Sequence, residues 1–292
     1  VIVVDDHSNT FMEDLMNVKQ AYPKILFIDN TNNKRGAGVC RNLGLEHANG
    51  DWVLFADADV YFVEGFYNTI NKYFETNNDV VFFKPTSVDL TTGEESARHE
   101  YIERFINSYL ERKDWKSEIF LRYRIPVPWT KLFKREFIED HHIRFDEVIA
   151  SNDVMFSTKV GYNMQYFQVV NDVIYCVTKS KRNLTKNISE AVFDARLSVS
   201  IDRYKFLLNK LHKKEFSALR LTGWEYIYLT FSYRFGFRKA IETYRTLRKH
   251  EIKMFGLRYL NPVFVIKKLL YYWRKHRLGK KYFHKTTIEN HD

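Results

Sequence analysis

Two pairs of acids, each closing a short apolar run, are the residues of this sequence best placed to do chemistry. Asp57 and Asp59 follow Trp52-Val53-Leu54-Phe55-Ala56, and Asp5 and Asp6 follow Val1-Ile2-Val3-Val4. Such runs suit buried parallel strands, and in a parallel sheet ligands bind beyond the carboxyl ends of the strands. Two carboxylates one residue apart repel each other unless a cation joins them. Their hard oxygens suit Mg2+ or Mn2+, ions that complete their shells with phosphate and water. A solvated turn would give the same Asp-x-Asp pattern, and the first acidic site could equally open a helix, with Ser8 or Asn9 as its cap. Between the two sites lies Asn32-Asn33-Lys34-Arg35-Gly36-Ala37-Gly38. The glycine backbone and cations of this loop could approach phosphates, and Arg41 follows it.

The elements that must position these residues alternate. A helix over 11–20 carries Phe11, Leu15 and Val18 at helical spacing, and Ile25-Leu26-Phe27-Ile28 reads as a strand. A helix over about 37–48 has Val39, Leu43 and Ala48 on one side and is stopped by Asn49-Gly50. A further helix (64–76) and strand (Val80-Val81-Phe82-Phe83) complete the alternation. The pattern predicts an α/β fold with a Rossmann-like, mostly parallel sheet and flanking helices. After Lys84 the rhythm changes, with a turn around Thr91-Thr92-Gly93 and a helix ending near 113. Pro126 and Pro128 bracket an extended piece, 150–161 reads as a helix, and 166–177 as one or two strands. From 190 onward the pattern is helical.

Composition sets outer bounds. With 45% hydrophobic and 28% charged residues the chain is globular, and two cysteines, Cys40 and Cys176, cannot make a disulfide scaffold or a four-thiolate zinc site. No secretory leader is read, and no window of about 18 apolar residues suggests a spanning helix. The net charge of +10 is unevenly spread: residues 201–292 hold 22 Lys+Arg against 7 Asp+Glu, so 1–200 are mildly acidic. Aromatics crowd the basic part, as in Tyr271-Tyr272-Trp273-Arg274-Lys275.

Taken in order, the motifs Val4-Asp5-Asp6-His7-Ser8, Asn33-Lys34-Arg35-Gly36, Arg41-Asn42-Leu43-Gly44-Leu45, Ala48-Asn49-Gly50-Asp51-Trp52 and Phe55-Ala56-Asp57-Ala58-Asp59 resemble family 2 glycosyltransferases of the GT-A fold. Pro128-Trp129-Thr130-Lys131-Leu132-Phe133 resembles the acceptor-side segment of that family, and Phe145-Asp146-Glu147 with Asn152-Asp153 resembles its Glu-Asp motif. The resemblance covers roughly residues 1–185, which it divides into a nucleotide-sugar part (1–84) and an acceptor part (85–185), and leaves 186–292 as a basic helical region. It implies an inverting, metal-dependent transfer of a sugar from a UDP-sugar to a glycan or lipid-linked glycan, in the synthesis of capsule or other surface polysaccharide.

Carried over residue by residue, the resemblance implies that Asp6 reads the uracil and that Lys34 and Arg41 lie in the donor pocket. Asp59 would be the principal ligand of Mn2+ or Mg2+, with Asp57 beside it, and Asp153 would be the catalytic base. Trp129 and Lys131 would face the acceptor, and Lys179–Thr185 takes the place of a basic loop near the diphosphate. Asn152 stands where the family usually has glutamate, so Glu147 is the alternative base. The family's first strand would precede Val1; the expectation is that the chain is a fragment short of one strand and helix, poorly soluble and weak in binding UDP.

Two other readings compete. A nucleotidyltransferase shares the sheet and the metal, but it carries its glycine-rich loop directly after the first strand, whereas Gly36-Ala37-Gly38 follows the second. A non-catalytic binding module would make the basic tail the main feature. Phe264, Ile266, Leu269 and Leu270 beside Lys267, Lys268, Arg274 and Lys275 favour an anionic membrane surface over nucleic acid, hence a cytoplasmic protein on the inner face of the membrane. His141-His142 reads as a surface pair, Cys40 as a packed small residue, and the sequons at Asn183 and Asn187 as incidental.

Overall fold

The structure, a computed structural model, describes residues 1–179 and 188–256 and the single positions 263, 266, 267 and 270. The predicted alternation is present: β1 (Ile2–Asp5), α1 (Met12–Ala21), β2 (Leu26–Asp29), α2 (Ala37–Glu46), β3 (Trp52–Leu54), β4 (Tyr61–Phe62), α3 (Phe66–Asn71) and β5 (Val80–Asp89). There follow α4 (Glu100–Arg112), α5 (Trp115–Arg124), β6 (Lys131–Lys134), α6 (Arg135–Asp140), α7 (Asn152–Asn163) and β7 (Phe167–Lys179). Four helices close the described chain: α8 (Glu190–Lys210), α9 (Lys213–Leu219), α10 (Trp224–Ser232) and α11 (Gly236–Lys249).

The strands form two sheets. β1 and β2 pair in parallel, from Ile2 opposite Leu26 to Asp5 opposite Asp29. The other five lie in the order β3-β6-β5-β7-β4. Within it β3, β5 and β7 run one way, and β6 and β4 run against them. Both acidic pairs therefore sit at the carboxyl ends of strands of an α/β fold. The centre is dry: Val80, Val81, Phe82 and Phe83 of β5 are buried together with Leu132 and Phe133 of β6. β5 runs well past Phe83, pairing with β7 as far as Asp89, and the register shifts around Lys84 and Pro85. A proline cannot donate to the ladder, so a bulge there lets the strand continue.

Two expectations fail in α1 and α2. Helix α1 buries none of its residues, and Phe11, its N-cap, is in the left-handed region with no side-chain cap, so neither Ser8 nor Asn9 caps it. The Ser8 amide instead donates to Asp5 Oδ2 at 3.0 Å, folding the strand end into a turn. In α2 the inner face is Gly38, Val39, Asn42 and Leu45, not Leu43.

Helix α5 had no one-sided apolar pattern because it lies between two cores. Leu121 joins the core of the sheet, whereas Ile119 and Tyr123 join a second core built from Phe193, Leu197, Ile201, Tyr204 and Leu207 of α8 with Phe216, Leu219 and Leu247. The helical region is thus packed on the α/β part through α5. Among the described residues no helix is long and apolar enough to cross a membrane.

Candidate active site

The loop after β2 is organised by Asn30, which is buried. Its amide donates to Asp6 Oδ1 at 2.8 Å and to the Lys34 carbonyl at 2.9 Å, while its own oxygen accepts from the Asn32 amide. The other Asp6 oxygen accepts from the Gly36 amide at 2.8 Å. Gly36 is the N-cap of α2 with φ 114°, a backbone that side chains rarely adopt, so the Asp6 carboxylate is held at the positive end of a helix. Partial burial pushes the Asp6 pKa up, but the hydrogen bonds from Asn30, Gly36 and His7 outweigh it and hold the group below its ordinary value.

Two residues further along, Gly38 meets the Asp146 loop so closely that an added Cβ would lie 2.2 Å from the Asp146 carbonyl oxygen. Asn42, buried one turn later, closes this contact by donating to the Phe145 carbonyl at 3.0 Å and accepting from the Phe145 amide at 2.8 Å. The Phe145 ring stacks on Phe156 of α7 at 3.9 Å, and Phe55, which follows β3, meets both rings edge-on. Helix α2, the end of β3 and the start of α7 are therefore locked together.

Across this junction runs Arg41. Its Nη1 donates to Asn152 Oδ1 at 2.8 Å, its Nη2 pairs with Asp57, and its guanidinium lies 5.3 Å from the Phe145 ring centroid. The asparagine in place of the family's glutamate is thus a neutral acceptor that shares one arginine with Asp57. The turn after β3 is held from β7. The Asp57 amide donates to the Tyr175 hydroxyl at 3.0 Å, the Thr178 hydroxyl donates to the Asp59 carbonyl, and Tyr175 stacks on Trp129 at 4.9 Å.

The Asp59 side chain is exposed, and among the described residues nothing pairs with its carboxylate. No group of three or more His, Cys, Asp or Glu among the described residues could enclose a metal. The donor set still fits a hard divalent cation, because Mg2+ and Mn2+ commonly take one or two protein carboxylates and draw the rest from substrate phosphate and water. Asp59 would hold such an ion, with Asp57 beside it, and the ion would supply charge to offset a departing diphosphate.

Asp153 opens α7. Burial pushes its pKa above the ordinary value, and the nearby Asp57 carboxylate adds to the rise, while the Arg41 and Lys131 cations pull the other way. Glu147 is different: its carboxylate accepts from Lys34 Nζ at 2.6 Å, and that hydrogen bond holds its pKa below the ordinary value. Lys34 spans the cleft to Glu147 instead of pointing free into a donor pocket. Lys131 also departs from expectation. It is only 1% exposed, with Nζ donating to the Ile125 carbonyl at 2.7 Å, so it presents no surface to an acceptor; Trp129 beside it is buried against Tyr175.

The structure thus brings Asp6, Arg41, Asp57, Asp59 and Asp153 to one connected site; it adds Asn30 and Tyr175, which the sequence did not single out, and gives structural contacts to Gly38, Asn42 and Asn152, which stood there only within motifs. The signal available for Asn42 was a polar residue three positions after Val39, where an apolar one would continue the inner face of α2. His141 caps α6 against Phe137, away from this site. Cys40 packs beside Asp6, with burial raising its pKa to about 11, which leaves it a thiol and no nucleophile. Lys179 pairs with Asp89 at 2.7 Å, and residues 180–185 of the expected basic loop, with Asn183 and Asn187 of the two sequons, lie outside the described residues.

A chain with carboxylates at the strand ends of an α/β sheet, a glycine-opened helix between them and a buried third carboxylate has the plan of a GT-A nucleotide-sugar enzyme. The sequence model described as Glycosyl transferase family 2 matches residues 1–141. The chain is 25% identical over 195 residues to the poly(ribitol-phosphate) beta-glucosyltransferase of Bacillus spizizenii, covering 63% of this chain and 28% of that protein. Over 80% of its length it superposes on 64% of Staphylococcus aureus TarS 1–349, solved in complex with UDP-GlcNAc, with TM-score 0.58 and 23% identity. The whole chain also superposes on 74% of the mannosyltransferase PcManGT of Pyrobaculum calidifontis, solved with GDP-Man and Mn2+, with TM-score 0.51 and 16% identity. These likenesses show the GT-A fold. The chain spans between 28% and 56% of the length of the curated relatives it matches.

Proposed function

We propose that this chain is an inverting glycosyltransferase that moves a sugar from a UDP-sugar to a hydroxyl of a glycan or a polyol-phosphate polymer, in the synthesis of a cell-surface polymer. The observation that carries the reading is the Arg41 bridge, which ties the Asp57-Ala58-Asp59 turn to the start of α7 and so brings an acidic turn and a buried carboxylate together. Asp6 would accept from the uracil, its lowered pKa keeping it an acceptor. Asp153 would take the proton of the acceptor hydroxyl as that oxygen attacks the anomeric carbon from the face opposite the diphosphate. A raised pKa suits a general base, a role worth about 10²–10⁴-fold in rate. Asp59 and Asp57 would hold Mn2+ or Mg2+ at the diphosphate.

The test is a donor screen. UDP release from UDP-GlcNAc, UDP-Glc and UDP-Gal is followed with Mn2+ and with chelator, beside NTP plus sugar phosphate as the rival substrate pair. Turnover of a UDP-sugar that Asp153→Asn abolishes supports the reading; pyrophosphate release from NTP would replace it with a nucleotidyltransferase.

The partner proposed for the helical region is an anionic membrane surface, with the protein on its inner face. Phe237, Ile241 and Tyr244 on the outer side of α11 are 78%, 51% and 48% exposed, and Arg238, Arg245 and Arg248 flank them. An apolar stripe edged by arginines is the composition of an interfacial helix face. Of the tail residues expected to do this, Ile266, Lys267 and Leu270 are described and exposed, and the others lie outside the described residues.

A further inference from the structure

Lys131 is a cation where the fold has no evident use for one. It lies in β6 opposite Phe82 of β5, in the driest layer of the sheet. Its Nζ donates to the Ile125 carbonyl at 2.7 Å, lies 3.5 Å from Ser157 Oγ and is 5.5 Å from the Phe82 ring centroid. The Ser157 hydroxyl is itself engaged with the Pro126 carbonyl. A buried ammonium is costly unless a negative group answers it, and the one carboxylate whose charge acts on Lys131 is Asp153. Ser157 stands four residues after Asp153 on α7, so the two share a face one turn apart. The lysine thus lies under the turn that carries the carboxylate.

We propose that Lys131 is a positioning residue for Asp153: a buried counter-charge, anchored on the Ile125 carbonyl, that keeps the carboxylate ionised and set for proton abstraction. The inference rests on the base assignment made above. The charged groups that face Asp153 are Arg41 from α2, Asp57 from the turn after β3, and Lys131 from β6. Arg41 is committed to Asp57 and Asn152, which leaves Lys131 as the cation not shared with the donor side. Burial outweighs the pull of Asp153 and leaves the lysine pKa lowered to about 7, so Lys131 carries its charge below that pH. Its role is electrostatic and needs no contact with substrate.

The experiment follows UDP release with water as acceptor from pH 5 to 9 on the full chain, with saturating Mn2+ and the UDP-sugar that the donor screen identifies. Lys131→Met removes charge and donor; Lys131→Gln keeps a donor for Ile125 but no charge. Both should move the acid limb upward by on the order of one pH unit, the effect of losing a nearby opposite charge, while UDP affinity stays within about twofold of wild type. If Lys131→Gln restores the wild-type limb, or if the limb stays in place in both folded variants, Lys131 serves only to hold the backbone and the proposal is wrong. Undiminished turnover in Asp153→Asn would instead refute the base assignment.

A second measurement needs neither donor nor lysine variant. A lysine whose charge is disfavoured in the fold binds fewer protons there than in the unfolded chain. Stability therefore rises as pH goes from about 7 toward the ordinary value of 10.5. In Asp153→Asn the counter-charge is gone, so the rise in melting temperature should begin at lower pH; a rise that begins at the same pH in both proteins would overturn the coupling.

Discussion

Asp6 and Asp153 are carboxylates of one site, but the regions that carry them are built in opposite ways. Asp6 stands at the end of a two-stranded sheet whose strands and helix bury little: Val3, Met12, Met16, Val18 and Leu26 are all exposed. Its environment is made of hydrogen bonds, and its pKa is lowered. Asp153 stands on a helix packed against Phe55, Phe145 and the five-stranded sheet, and burial raises its pKa. Water and donors favour the charged form in the first place, and desolvation disfavours it in the second. A carboxylate of the first kind is a binding group that stays ionised; one of the second kind takes up a proton more readily than a free carboxylate does. Environments that push two like groups apart divide binding from chemistry.

The largest expected effect breaks the pair at its buried end. Asp153→Asn should lower turnover by about 10²–10⁴-fold while UDP affinity, measured by calorimetry, stays nearly constant; parallel loss of both would place Asp153 in the donor pocket.

Asp6→Ala breaks the exposed end. Losing a charged hydrogen-bond acceptor, worth about 1.5–3 kcal/mol, should weaken UDP binding by roughly 10–100-fold, with turnover at saturating donor much less affected. If turnover fell as far as in Asp153→Asn, the division of roles would not hold. Asp59→Asn should abolish the part of UDP binding that Mn2+ adds, and a metal effect that survives would remove the metal assignment.

Gly38→Ala tests the junction between the regions. A Cβ 2.2 Å from a backbone oxygen cannot be accommodated without moving α2 or the Asp146 loop. Overpacking of this kind costs about 1–3 kcal/mol, read as a lower melting temperature together with lost turnover. The smallest effect is a separation on the pH axis. As pH falls, turnover should drop first, at the raised pKa of Asp153, whereas UDP-sugar binding should persist until Asp6 protonates below its ordinary value. Coincident limbs in rate and binding would erase the contrast.

Local pattern reached a long way into this protein. Apolar runs ending in acids marked β1 and β3, and the spacing of Asp5-Asp6, Lys34-Gly36, Arg41 and Asp57-Asp59 pointed to the family and to most of the site, because each motif is read within a few residues. What it could not reach was pairwise. That Arg41 would take Asp57 and Asn152 together, that Lys34 would reach Glu147, and that Lys131 would turn inward beneath α7 depend on residues 16, 111, 113 and 26 positions apart.

Helix α5 escaped for the same kind of reason, since a helix with a core on each side has no single apolar stripe for periodicity to find. The sequence by itself determined which residue types stand at the ends of which strands, since strand alternation and turn chemistry are local. Only the tertiary structure decided the charge state each acid favours, because desolvation and counter-charges are set by whatever the fold packs around a carboxyl group.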